Sequence, residues 1–116
     1  MWSRRQTVPE LDAAEVHERF ARGAVTLIDV REPDEWATET VPGAFLVPLG
    51  RIDPAALPGV PGRSVVFLCQ IGKRSAIAAG RCAAAGVGNC ANLAGGLNAW
   101  KAAGLPTAPG EDSSPA

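Results

Sequence analysis

The chain has 116 residues, 47% of them hydrophobic, with 11 basic and 12 acidic side chains and a formal charge of -1 at pH 7. That length suits one packed core rather than two, and so even a charge balance provides no broad field for nucleic acid or an anionic membrane, so neither is expected as a partner. Three cysteines with no Cys-x-x-Cys pair and a lone histidine, His17, make no credible metal site and leave cysteine chemistry without metal or organic cofactor.

Residues 1–8, which include Trp2, read as a flexible N-terminal segment, residues 9–106 as the folded domain, and residues 107–116 as a disordered tail rich in Pro, Gly and Ser. Met1-Trp2-Ser3-Arg4-Arg5 is followed by polar and acidic residues rather than a signal-peptide apolar region, and no stretch approaches a membrane span, so a cytoplasmic protein is expected. A short strand is expected near Val8. Residues 12–20 read as a helix with Asp12 as N-cap, and Glu15, Glu18 and Arg19 around His17 mark a solvated face. Val25-Thr26-Leu27-Ile28-Asp29-Val30 is a β-branched, nearly continuous apolar run, the pattern of a parallel strand covered on both faces. Glu32-Pro33-Asp34-Glu35 then reads as a helix start, with Pro33 in the first turn and acids at the positive end of the dipole.

A weaker strand is expected at Phe45-Leu46-Val47. The stretch 48–63 holds four prolines and three glycines, so it is mostly a surface connection with room for one capped helical turn at Asp53-Pro54-Ala55-Ala56-Leu57. Val65-Val66-Phe67-Leu68 repeats the buried-strand pattern. Residues 73–85 form a helix closed by Gly86, Ala91-Asn92-Leu93 a further strand, and residues 97–103 a helix closed by Gly104. Trp36 and Trp100 are expected in or near the core. Ala76, Ala79, Gly80, Ala83 and Ala84 are read as the small face that lets the third helix pack closely on the sheet, so a large residue at Gly80 is expected to loosen core and site together. Strands alternating with helices make an α/β domain with a mostly parallel five-stranded sheet and helices on both faces.

The chemistry concentrates in Cys69-Gln70-Ile71-Gly72-Lys73-Arg74-Ser75, which joins a strand end to a helix start. The N–H groups of a first helical turn have no carbonyl partners and carry the positive end of the dipole, so they favour an anion. Gly72 lets successive amides turn toward one centre, and Lys73 and Arg74 add positive charge. Cys69 is therefore a candidate thiolate, while Cys82 and Cys90 read as core. Asp29 and Arg31, two apart at a strand end, lie on one face at the edge where such sheets bind ligands, and a charge pair bracing the Cys69 loop is the preferred reading.

Four blocks then appear in order: Leu27-Ile28-Asp29-Val30-Arg31-Glu32-Pro33-Asp34-Glu35-Trp36, Val41-Pro42-Gly43-Ala44, the Cys69 loop, and Leu93-Ala94-Gly95-Gly96-Leu97-Asn98-Ala99-Trp100. Over roughly residues 11–106 the chain resembles a single-domain rhodanese, a sulfurtransferase with a three-layer fold. The resemblance implies that Cys69 takes the outer sulfur of a small anionic donor, thiosulfate or a persulfide, and carries it as a cysteine persulfide. A thiol or cyanide acceptor, or a thioredoxin-like protein, would then collect it in a second half-reaction. It further implies that the amides of Gln70, Ile71, Gly72, Lys73, Arg74 and Ser75 hold the terminal sulfur, that Lys73 and Arg74 attract the donor, and that Ser75 adds a hydroxyl donor. Thr40 and Gln70 stand where many members have His and Arg, which implies a less cationic pocket mouth. Cysteine phosphatases of related architecture use a cradle one residue longer, so the shorter loop suits a single sulfur better than a phosphate; phosphatase and arsenate reductase are the outlying alternatives. A persulfide carrier or partner-binding module without turnover of its own is the nearer one.

Overall fold

A computed structural model describes residues 8–111. Its elements run β1 (Glu10–Leu11), α1 (Ala13–Ala21), β2 (Val25–Asp29), α2 (Pro33–Thr38), β3 (Phe45–Leu46), a 3-10 turn over Leu49–Arg51, β4 (Ser64–Leu68), α3 (Lys73–Ala84), β5 (Cys90–Leu93) and α4 (Gly96–Ala102). The five strands pair in the order β1-β5-β4-β2-β3, every pair parallel, so the two apolar runs β2 and β4 lie side by side at the centre. Segments 1–7 and 112–116, with Trp2 and the second half of the expected tail, lie outside the described residues.

Alternation along the strands divides the core into two layers. Val25 and Leu27 of β2 and Val66 and Leu68 of β4 face Ala13 and Val16 of α1 and Leu97 and Trp100 of α4. Ile28, Val65 and Phe67 face the other way, with Val30 and Cys69 just past the strand ends, onto Ala78, Ala79 and Cys82 of α3. Helices therefore cover both faces, and the loops after β2 and β4 emerge together at one edge.

Four local expectations are corrected. Gly80 is not on the packed face of α3: that face is Ser75, Ala78, Ala79 and Cys82, and a Cβ on Gly80 would meet nothing within 4 Å. His17 is half-buried, its ring edge-on to Trp100 with centroids 5.5 Å apart, because α1 and α4 share one side of the sheet. Residues 53–57 form a turn closed by Ala56 N–H on Asp53 O at 2.9 Å, and the helical turn lies earlier, at Leu49–Arg51. Residues 107–111 do not fray: Thr40 and Ala108 exchange main-chain hydrogen bonds of 2.8 and 3.0 Å, and Gly110 N–H donates to Trp36 O at 2.9 Å. The main chain of this segment finds partners along the exit of α2, which a composition rich in Pro and Gly does not reveal. Among the described residues, no helix is long and apolar enough to cross a membrane.

Candidate active site around Cys69

The loop between β4 and α3 folds back over its own first residue. Gly72, at φ 98, is the N-cap of α3, and its left-handed backbone turns the chain so that the helix axis starts toward Cys69. Cys69 Sγ accepts hydrogen bonds from Gly72 N–H at 3.2 Å, Ser75 N–H at 3.4 Å and Ser75 Oγ–H at 3.3 Å. The residue is 1% exposed. Burial pushes the thiol up, but the Ser75 hydroxyl and the amides of Ser75, Gly72 and Ile71 outweigh it, so the thiol titrates below its ordinary value. On the remaining thiols, which have no such donors, burial acts unopposed: Cys82 is raised, and Cys90, with Cys82 nearby, is pushed up to about 11.

The loop is held from beneath by its carbonyls. Leu97 N–H, in the first turn of α4, donates to Cys69 O at 2.8 Å, Asn98 N–H donates to Gln70 O at 3.1 Å, and Asn92 Nδ2 donates to Gly72 O at 3.0 Å. The peptides of the described residues are trans, so each N–H points opposite to the carbonyl of its own peptide unit. Tying the carbonyls of Cys69, Gln70 and Gly72 downward therefore turns the amides of Gln70, Ile71 and Lys73 to the other side of the loop. Gly96, at φ 60, permits this approach, since a Cβ there would lie 2.7 Å from the carbonyl carbon and oxygen of Gln70 and nearer still to Cys69 O.

The cations around the loop are mostly engaged. Asp29 and Arg31 are fully buried: Arg31 Nη2 donates to Asp29 Oδ2 at 2.7 Å, its main-chain N–H and Nε reach Oδ1 at 3.0 Å, and Thr40 Oγ1 donates to Oδ2 at 2.8 Å. Arg31 Nη1 continues to Gln70 Oε1 at 3.0 Å, and Gln70 Nε2 reaches Asn98 Oδ1 at 2.6 Å, so the pair bears on the Cys69 loop through Gln70. Arg74, to which the family resemblance assigns donor attraction, makes a two-pronged pair with Glu35 of α2 at 2.8 and 3.0 Å. That guanidinium holds the Glu35 carboxyl down to about 2. Lys101 is bound to Glu39 at 2.8 Å. Lys73 is exposed and makes no ion pair with any described residue, and the Ile71 side chain beside it is 52% exposed. A shallow cavity of about 300 Å³ next to the loop is lined by Arg31, Asp34, Glu35, Thr38, Glu39 and Gln70. No group of three or more His, Cys, Asp or Glu among the described residues is placed to hold a metal ion.

Glu35, Asn92, Gly96 and Asn98 were not singled out by sequence reasoning as parts of this site. Asn92 carried the clearest available signal, a primary amide inside the buried run Cys90-Ala91-Asn92-Leu93, where a polar side chain must find partners.

Residues 12–103 match the family described as Rhodanese-like domain. The chain belongs to that family. It is 37% identical over 101 residues to a protein of Allochromatium vinosum named Sulfurtransferase, covering 85% of this chain and 94% of the relative. It is 46% identical over 84 residues to an uncharacterized protein of Synechocystis, covering 72% of this chain but 47% of that longer relative. Among solved structures, the rhodanese-like domain of an Anabaena protein superposes with a TM-score of 0.77 at 29% identity, covering 95% of this chain and 86% of that one. The rhodanese-like architecture expected from the four sequence blocks is thus the architecture observed.

Proposed function

We propose that this rhodanese-like domain is a sulfurtransferase that carries a sulfane sulfur on Cys69. The observation that carries the reading is the sulfur's surroundings: three hydrogen bonds from Gly72 and Ser75 converge on Sγ in a site shielded from water, an arrangement that stabilises a sulfur anion. The naming of the Allochromatium relative supports it.

The Cys69 thiolate attacks the outer sulfur of the donor; a Cys69–sulfur bond forms as the donor's sulfur–sulfur bond breaks, and the leaving group departs with the electron pair. With thiosulfate the leaving group is sulfite, and Cys69 becomes a persulfide whose outer sulfur bears the negative charge. On this reading the amides from Gln70 to Ser75 hold that charge, and the Gly72 and Ser75 N–H groups that face Sγ support it. An acceptor, cyanide or a thiolate, then attacks the outer sulfur and restores the Cys69 thiolate, so neither half-reaction needs an external oxidant or reductant.

Incubation with thiosulfate followed by mass spectrometry should show one added sulfur on the Cys69 peptide, and cyanide should release it as thiocyanate. Cys69→Ser should abolish both while leaving the melting temperature nearly unchanged. Failure of the wild type to load from thiosulfate or from a small persulfide, or hydrolysis of an aryl phosphate in its place, would overturn the proposal.

The pairing of Arg31 with Asp29 and of Arg74 with Glu35 favours a second reading, in which the domain is a persulfide carrier loaded by a protein donor. Among the described residues, a dianion such as thiosulfate meets one unpaired ammonium beside the loop, Lys73. Loading from a protein persulfide but not from thiosulfate would select the carrier.

A further inference from the structure

Among the described residues, Asn92 is the side chain that bonds a main-chain carbonyl of the Cys69 loop. The other two supports, Leu97 N–H on Cys69 O and Asn98 N–H on Gln70 O, are main-chain bonds. Asn92 lies in β5, 1% exposed, and its Nδ2 donates both to Gly72 O at 3.0 Å and to the two carboxylate oxygens of Glu10 at 3.1 Å. Its Oδ1 is buried without a hydrogen-bond partner among the described residues. An unpaired buried amide oxygen disfavours the folded state, and an apolar residue like its neighbours Ala91 and Leu93 would avoid that cost. The compensating interaction is therefore on the Nδ2 side, where Gly72 lies.

The effect on the sulfur site follows from peptide geometry. Holding Gly72 O toward β5 turns Lys73 N–H the opposite way, and it also fixes the residue whose own N–H donates to Sγ. Glu10, on the neighbouring strand β1, sets the orientation of the amide, since a flipped Asn92 would place Oδ1 against a carboxylate. The loop sits close to this support: a Cβ on Gly72 would lie 3.5 Å from Leu93 O and 3.2 Å from Gly95 N.

We propose that Asn92 is a positioning residue for the sulfur site: its amide, oriented by Glu10, holds the Gly72–Lys73 peptide so that the loop donors converge on Cys69 Sγ. This rests on the reading of Cys69 as the nucleophile. The test compares the full chain with Asn92→Ala and Asn92→Asp, the second keeping the side chain's size while removing the donor. The rate of Cys69 alkylation by iodoacetamide is followed against pH by peptide mass spectrometry, beside a thermal melt. Both variants should react roughly three- to tenfold more slowly than wild type at neutral pH, with the profile moved to higher pH, since one hydrogen bond's worth of alignment is lost. A purely structural role would lower the melting temperature and leave that profile in place. A folded variant with the wild-type profile would overturn the proposal, as would failure of both variants to fold, which would make Asn92 a support of the sheet alone. An ordinary thiol profile in the wild type would instead overturn the reading of Cys69.

Discussion

Replacing Gly96 with alanine tests how the site is held. Gly96 opens α4 in the left-handed region at φ 60, and the added Cβ would lie 2.7 Å from the carbonyl carbon and oxygen of Gln70 and closer to Cys69 O. These are main-chain atoms that cannot rotate aside. The left-handed conformation costs an alanine about 1–2 kcal/mol, and crowding a packed site adds roughly 1–3, for a total of about 2–5 kcal/mol. In a domain of this size that corresponds to a fall in melting temperature of roughly 10 °C or more. To relieve the contact the Cys69–Gln70 segment must lift away, stretching the bonds from Leu97 N–H and Asn98 N–H that now measure 2.8 and 3.1 Å. Sulfur transfer should therefore drop even at temperatures where the variant stays folded. Gly80→Ala is the control. Its Cβ meets nothing within 4 Å, and alanine inside a helix gains about 0.5–1 kcal/mol over glycine, so this variant should melt at or above the wild-type temperature with full transfer. Thermal melts beside the thiocyanate assay decide it. A Gly96→Ala protein that melts with the wild type and transfers sulfur as well would refute the claim that α4 clamps the loop through its first residue.

Three further outcomes are expected. Ser75→Ala removes the hydroxyl that lies 3.3 Å from Sγ, so the pH profile of Cys69 alkylation should move upward while stability falls by only about 1 kcal/mol; an unmoved profile would leave the amides as the sole donors that matter. Asp29→Ala strands the Arg31 guanidinium, which is 2% exposed, and should cost about 3–5 kcal/mol by urea denaturation; a loss well below about 1 kcal/mol would show that water or another group replaces the carboxylate. The Glu35 carboxyl is lowered from 4.5 to about 2 by Arg74, so between those values the unfolded chain binds the proton more readily than the folded one. The pair's contribution is thus complete above about pH 4.5 and is lost as the pH falls through about 2. Thermal melts across this window should fall less steeply for Glu35→Gln than for wild type, and parallel curves would mean the ion pair contributes nothing to stability.

Much of the architecture is written in local pattern. The central strands β2 and β4 were legible because a run such as Val65-Val66-Phe67-Leu68 is buried on both faces and admits few other uses, and the helix ends because Asp12, Gly86 and Gly104 mark them in the chain. The geometry of the Cys69 loop was legible for a similar reason: a cysteine, a glycine three residues on and a helix start confine the sulfur to the positive end of α3 whatever surrounds them. The facing of α3 was not. A helix of alanine, glycine and cysteine has too little contrast in side-chain size to say which stripe meets the sheet, and packing chose Ser75, Ala78, Ala79 and Cys82 over the stripe through Gly80.

What only the tertiary structure decided is which distant groups meet the loop. Glu35 is 39 residues from Arg74, Asn92 is 20 from Gly72, and Ala108 lies far along the chain from Thr40. None of these pairs leaves a periodic trace, because hydrogen bonds and ion pairs between elements depend on the register in which strands align. The sequence by itself determined where a sulfur anion would be stabilised, since the donors that face it follow within six residues of Cys69. The fold decided how firmly those donors are aimed, because the groups that pin their carbonyls, Asn92, Leu97 and Asn98, come from a neighbouring strand and the helix after it, and reach the loop only once the sheet has formed.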